Sequence, residues 1–165
     1  MWTRGLFIPL IVVLIFSGME AKAVPDSEQY GQFASQSLPF ISFKFPNFVG
    51  WKAEVHESEV LYFPRGEGDS VLLVRIPVKI RVSGLIKDDR TEEWRRWWTA
   101  HAKRNHSGIF IAITRRERET VLTIDHNGSY FEITHDNLEE SGFSGGKISP
   151  IIFQTLRFVN KEPRR

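Results

Sequence analysis

The sequence predicts an α+β fold, a mainly antiparallel β-sheet with helices packed on it. Three observations carry that expectation. Val71 to Val82 (VLLVRIPVKIRV) sets an apolar residue at every second position from Leu72 to Val82. Asn127-Gly128 sits between two further alternating runs, and Asp89 to Arg104 (DRTEEWRRWWTAHAKR) sets its large apolar side chains at helical spacing. Strands that follow one another, with helices interspersed and no strict strand–helix alternation, favour antiparallel pairing.

The N-terminus reads as an export signal. Met1-Trp2-Thr3-Arg4 carries a positive charge, Leu6 to Phe16 is apolar, and Ala21-Lys22-Ala23 supplies a small-x-small end. That order is a secretory signal peptide spanning 1–23, with cleavage expected between Ala23 and Val24. The competing reading is an uncleaved anchor. A bilayer-crossing helix needs about 20 largely apolar residues, and Glu20 and Lys22 interrupt this run early. With no cysteine in the chain, a lipid-anchored lipoprotein is excluded.

Residues 24–37 are polar and read as a flexible leader, 38–160 as a single α+β domain, and 161–165 as a charged tail. The first strand is expected over Phe40 to Phe45, where Ile41, Phe43 and Phe45 alternate with Ser42 and Lys44. Trp51 to Val55 and Glu59 to Phe63 follow as short strands, and Arg65 to Asp69 as a turn. In the long strand Leu72, Val74, Ile76, Val78, Ile80 and Val82 share one face, opposite Arg75, Lys79 and Arg81. Pro77 has no N–H for a ladder, so this strand is expected at an edge or bulged there.

The helix over Asp89 to Arg104 has Asp89 or Thr91 as its N-cap. Trp94, Trp97, Trp98, His101 and Ala102 fall within an arc of about 140°, which predicts that the indoles bury against the sheet. Ile109 to Thr114 is apolar on both faces and is expected to be a central strand. Val121 to Asp125 and Ser129 to Thr134 then form a hairpin around Asn127-Gly128, the preferred type I′ centre. That loop pairs Ile124 with Phe131 and Leu122 with Ile133, and a slip of one residue would set apolar against polar. Asp136 to Lys147 reads as a loop, and Ser149-Pro150 as the N-cap and first residue of a short helix running into Arg157-Phe158-Val159.

Two stretches resemble the superfamily of the photosystem II accessory protein PsbP and related envelope proteins. One is Phe45-Pro46 followed by Gly50-Trp51; the other is Ile151 to Phe158, an apolar helix entering an aromatic segment. The element order between Leu38 and Val159 also matches, although Asn47-Phe48-Val49 lengthens the first spacing. The resemblance implies an α/β/α-like sandwich that binds partners without chemistry, and it transfers no functional residue.

Composition narrows the function further. The chain holds 22 basic and 20 acidic residues, a net charge of +2, and losing Arg4, Lys22 and Glu20 lowers it by one. That balance is not the basic field of a nucleic-acid binder. An exported chain without disulfides must rely on apolar burial, which 13 phenylalanines and 5 tryptophans can supply. No G-x-S-x-G elbow, Ser-x-x-Lys or cysteine supplies an activated nucleophile, so no catalytic residue is assigned, and a small hydrolytic enzyme is the lesser reading. His56, His101, His106, His126 and His135 show no metal-ligand spacing, so no metal or cofactor is assigned, and His101 reads as a core histidine.

Two binding surfaces remain. Arg75, Lys79 and Arg81 form a basic row about 20 Å long at strand spacing, fit to meet an anionic envelope protein; the bland reading is a charged face that prevents edge pairing. Trp94, Arg95 and Trp98 form the alternative, a glycan or lipid site with peripheral contact to membrane or cell-wall polymer. The expectation is a periplasmic or secreted accessory protein, most readily of a bacterial envelope, with another envelope protein as partner.

Overall fold

A computed structural model describes residues 29–65, 77–140 and 143–159. The fold is α+β: mainly antiparallel sheet with two short helices. The signal region, the Gly66–Asp69 part of the expected turn and the first half of the long strand, including Leu72, Val74, Arg75 and Ile76, lie outside the described residues.

A small sheet joins β1 (Tyr30–Ala34), β2 (Ile41–Pro46) and β13 (Arg157–Phe158) in the order β1-β2-β13. The large sheet contains β3 (Trp51–Val55), β4 (Glu59–Pro64), β5 (Val78–Val82), β7 (Lys103–Arg104), β8 (Phe110–Arg115), β9 (Glu119–His126) and β10 (Ser129–Asp136). Its order is β3-β4-β5-β10-β9-β8-β7, with the short β6 (Ile86–Lys87) beside the start of β10. Helix α1 covers Glu92–His101 and α2 covers Ile148–Thr155. Two-residue strands β11 (Glu139–Glu140) and β12 (Phe143–Ser144) pair before a 3₁₀ turn at Gly145–Lys147 leads into α2.

One apolar core lies between the inner face of the large sheet, the small sheet and α2. Phe33, Ile41, Phe43 and Phe45 from the small sheet meet Val60, Tyr62, Ile80, Leu122, Ile124, Phe131 and Ile133 from the large one. Phe33 stacks on Phe43 at 4.7 Å, and Tyr62 donates its hydroxyl to the Pro46 carbonyl at 2.9 Å. Asn105 ties the layers from another side: its Nδ2 donates to Leu156 O at 2.8 Å while its Oδ1 accepts from Ile109 N.

The β9–β10 hairpin forms in the expected register, Ile124 opposite Phe131 and Leu122 opposite Ile133. Asn127 and Gly128 both have positive φ, 47° and 80°, as a type I′ turn requires. Val78, Ile80 and Val82 share the buried face of β5.

Several expectations give way. The leader ends sooner than expected, because Tyr30–Ala34 pairs with β2 and Phe33 is wholly enclosed. The residues described from the long strand are interior, since β5 lies between β4 and β10. Pro77 stands just before the ladder, where its missing N–H costs nothing. β8 is not central: beyond β9 it meets only two residues of β7, and its Phe110 and Ile113 are exposed.

The first helix starts from Thr91, whose hydroxyl accepts from Trp94 N at 3.2 Å, and ends at His101 because Lys103–Arg104 turn into strand. Ser149-Pro150 does not cap the second helix; the 3₁₀ turn carries the chain into α2 at Ile148. The Asp136 to Lys147 loop contains β11, β12 and that turn.

Gly31 faces Phe45 across β1 and β2, and a Cβ there would clash with the edge of the Phe45 ring. The ring covers the glycine and fills the space a side chain would take. Gly31→Ala is expected to destabilise the fold by about 1–3 kcal/mol through overpacking, read as a lower urea midpoint with an unchanged slope.

Candidate functional site

Of the basic row, the described contacts engage the Arg81 side chain and only the backbone of Lys79. Arg75 lies outside the described residues. Lys79 N–H donates to Asp136 Oδ2 at 2.9 Å, and Arg81 Nη2 lies 3.1 Å from Asp136 Oδ1 and 3.7 Å from Glu119 Oε2. The hairpin's own carboxylates thus answer Arg81.

The tryptophan helix meets its expectation in part: the indoles pack against the sheet, but on its outer face and short of full burial. None of the residues of α1 is buried; Trp94, Trp97 and Trp98 are half-covered. The helix lies on the outer face of β8, β9 and β10, away from the core. Trp98 Nε1 reaches toward the Thr123 carbonyl at 3.5 Å, and Trp94 and Trp98 lie nearly parallel with centroids 6.4 Å apart. His101 is not a core histidine: it is exposed, its Nδ1 bonds Trp97 O at 2.7 Å, and its ring stacks on Trp97 at 4.9 Å. Arg95 is half-exposed, its Nε 3.7 Å from Asp88 Oδ2.

Arg90, which the sequence reading did not select, organises this face. Its guanidinium carbon sits 4.1 Å from the Trp94 ring centre and 4.2 Å from that of Tyr130, a cation held between two π-faces. Asp88 grips the group's side edge, Nε to Oδ1 at 2.8 Å and Nη2 to Oδ2 at 3.0 Å, with Asp125 Oδ1 3.6 Å from Nη2. The side chain is only 9% exposed. Its Nη1 is enclosed and has no hydrogen-bond partner among the described atoms. These hydrogen bonds from Arg90 hold the Asp88 carboxyl at a pKa of about 2 against the opposing effect of burial. The Tyr130 phenol is pushed up, first by burial and then by the nearby carboxylates Glu132 and Asp89. A sequence signal existed: Asp88 and Arg90 are two apart, and Arg90 lies one helical turn before Trp94. Tyr130 falls on the outer face in the hairpin register.

Beside the stack, Trp94 and Trp97 wall an open concavity of about 220 Å³, with Val121, Thr123, Thr114, Arg116 and Glu132 completing it. A second recess of about 560 Å³ lies between the edges of β1 and β3 over Phe48 and Trp51, rings that already pack on Phe143.

Of the remaining histidines, His126 packs on Phe158 at 4.9 Å, and His56 and His106 are exposed. Only His135 is fully enclosed. It donates from Nδ1 to the Asp136 carbonyl at 3.1 Å, which leaves Nε2 to accept from the Ser149 hydroxyl. Among the described residues, no three His, Cys, Asp or Glu side chains gather to hold a metal, and no helix is long and apolar enough to cross a membrane. Comparison with known protein families, curated proteins and solved structures finds no match for the chain.

Burial pushes the His135 pKa down, outweighing the favourable Asp136 carbonyl. The folded chain keeps this imidazole neutral, while the unfolded chain takes up a proton near pH 6.5. Its contribution is therefore complete above that pH and is lost as pH falls. The melting temperature is expected to decline below about pH 6.5, and His135→Gln to remove that step. A separate loss should follow between about pH 4 and 2, as Asp88 protonates, and Asp88→Asn should remove only that one.

Arg90→Ala removes a desolvated cation from two rings and leaves Asp88 unanswered. It is expected to cost about 1–3 kcal/mol and to shift the tryptophan emission to the red, as the indoles lose their cover.

Proposed function

We propose that the protein is an exported, non-catalytic binding module, and that it recognises its ligand with the tryptophan side of α1. The observation that carries this reading is a helix with three indoles and not one buried residue. Indoles recruited only for the core would be fully covered; each covered ring stabilises by roughly 2–3 kcal/mol, and here all three keep part of their surface open. The Arg90 stack fixes Trp94 before any ligand arrives, which lowers the ordering cost of binding.

The export signal at 1–23 and the PsbP-like likeness support the same assignment, a partner-binding accessory protein of the envelope. The basic row is the weaker surface for that role, since Arg81 already lies against Asp136 and Glu119. A fully enclosed His135, with one nitrogen on a carbonyl and the other on Ser149, supports a non-catalytic reading.

Iodide quenching tests the reading on the mature chain. Trp51 is buried at 6% exposure, so accessible quenching should come from α1. Trp51→Phe is expected to leave most of the quenching, and combined Trp94→Phe, Trp97→Phe and Trp98→Phe to abolish it. Emission that iodide barely touches would return the tryptophans to a packing role and remove the proposed face.

A further inference from the structure

Resting on the reading of α1 as the recognition face, we propose that the ligand is a neutral glycan, one sugar ring of which seats in the hollow beside Trp94 and Trp97, whose rings pack on each other at 5.8 Å, over the outer face of β9. The concavity is about 220 Å³, below the roughly 300–1,000 Å³ of a pocket that encloses a drug-sized ligand. It suits one ring, with the rest of an oligomer running across the open surface.

The lining matches the two chemistries of a sugar. A pyranose presents an apolar C–H face, which the half-covered indoles and Val121 can receive, and an edge of hydroxyls that both donate and accept. Around the same hollow stand Glu132, which only accepts, Arg116, which only donates, and Thr114 and Thr123, which do both. A purely apolar ligand would leave Glu132 and the two threonine hydroxyls facing it without hydrogen bonds.

Charge excludes the anionic alternatives. The arginines around the platform are answered by carboxylates: Arg90 and Arg95 by Asp88, Arg96 by Glu92 at 3.8 Å, and Arg116 by Glu119 at 2.8 Å. Glu92 and Glu93 open the helix, and Glu132 lines the hollow itself. A phosphate or anionic headgroup would meet no net positive field here, whereas a neutral polyol needs none.

The test applies the mature chain to an array of neutral β-glucans, N-acetylglucosamine oligomers and mannans, with phosphatidylglycerol vesicles as a second arm. Hits are followed by calorimetry and tryptophan emission. Saturable binding to a neutral glycan, little changed between low and high salt, is expected. Trp97→Ala should weaken it about tenfold, the loss of one stacked ring. Glu132→Gln should weaken it less, with an unchanged melting temperature that separates lost binding from lost folding.

Vesicle binding with no glycan binding would overturn the sugar assignment and leave α1 as the recognition face. The same holds if nothing binds while iodide still reaches the indoles. Glycan binding that survives both substitutions would overturn the location. Failure of binding together with indoles shielded from iodide would remove both proposals.

Discussion

A two-residue turn at Asn127-Gly128 sets β9 against β10 in a register that divides the hairpin's side chains between two tasks. Leu122, Ile124, Phe131 and Ile133 face inward, and all four are fully enclosed. Thr123, Asp125, Tyr130 and Glu132 necessarily face outward, and these receive Trp98, Arg90 and the concavity beside α1. Because side chains alternate with period two, the site's floor cannot move without moving the core. The apolar energy that holds the inner face in place also holds the outer face in place.

Arg90 is the fastening between that sheet and α1. A helix with no fully buried residue owes its attachment to directed contacts as well as to the partial cover of its indoles. The guanidinium supplies several at once: two aromatic faces, a two-point grip by Asp88 and proximity to Asp125. Nη1, enclosed and without a hydrogen-bond partner among the described atoms, is a cost of this arrangement, since an enclosed donor without an acceptor forfeits its hydration. That the group stays enclosed nevertheless indicates how strongly the stack and the carboxylate hold it.

The inner half of the molecule was legible because its signals are periodic. The runs at Ile41–Phe45 and Val78–Val82 and the hairpin pairing follow from alternation and from one turn whose φ values few residues accept. What escaped was set by position among neighbours. Pro77 bars its own position from a ladder and says nothing about Val78 onward. Ile109 to Thr114 is apolar enough for a centre, yet only two residues of β7 come to cover it. The arc of tryptophans named the apolar side of α1, but whether a layer lies over that side is not a property of the helix. Arg90 escaped for a similar reason: one of its two rings comes from Tyr130, forty positions further along the chain.

The two layers therefore differ in how they should open. Inside, Phe33, Phe43, Tyr62, Leu122 and their neighbours form one continuous enclosed cluster that is lost only when the sheets separate. Outside, α1 rests on three half-covered indoles and an ion pair, contacts that can release without exposing that cluster. Elements attached in this way open locally at a free energy well below that of global unfolding. A ligand that covers Trp94 and Trp97 would add apolar contact where the helix has least, tightening α1 on the sheet while leaving the core unchanged. On the proposed reading, recognition and local order would be one equilibrium, with Arg90 setting where it lies before a ligand binds.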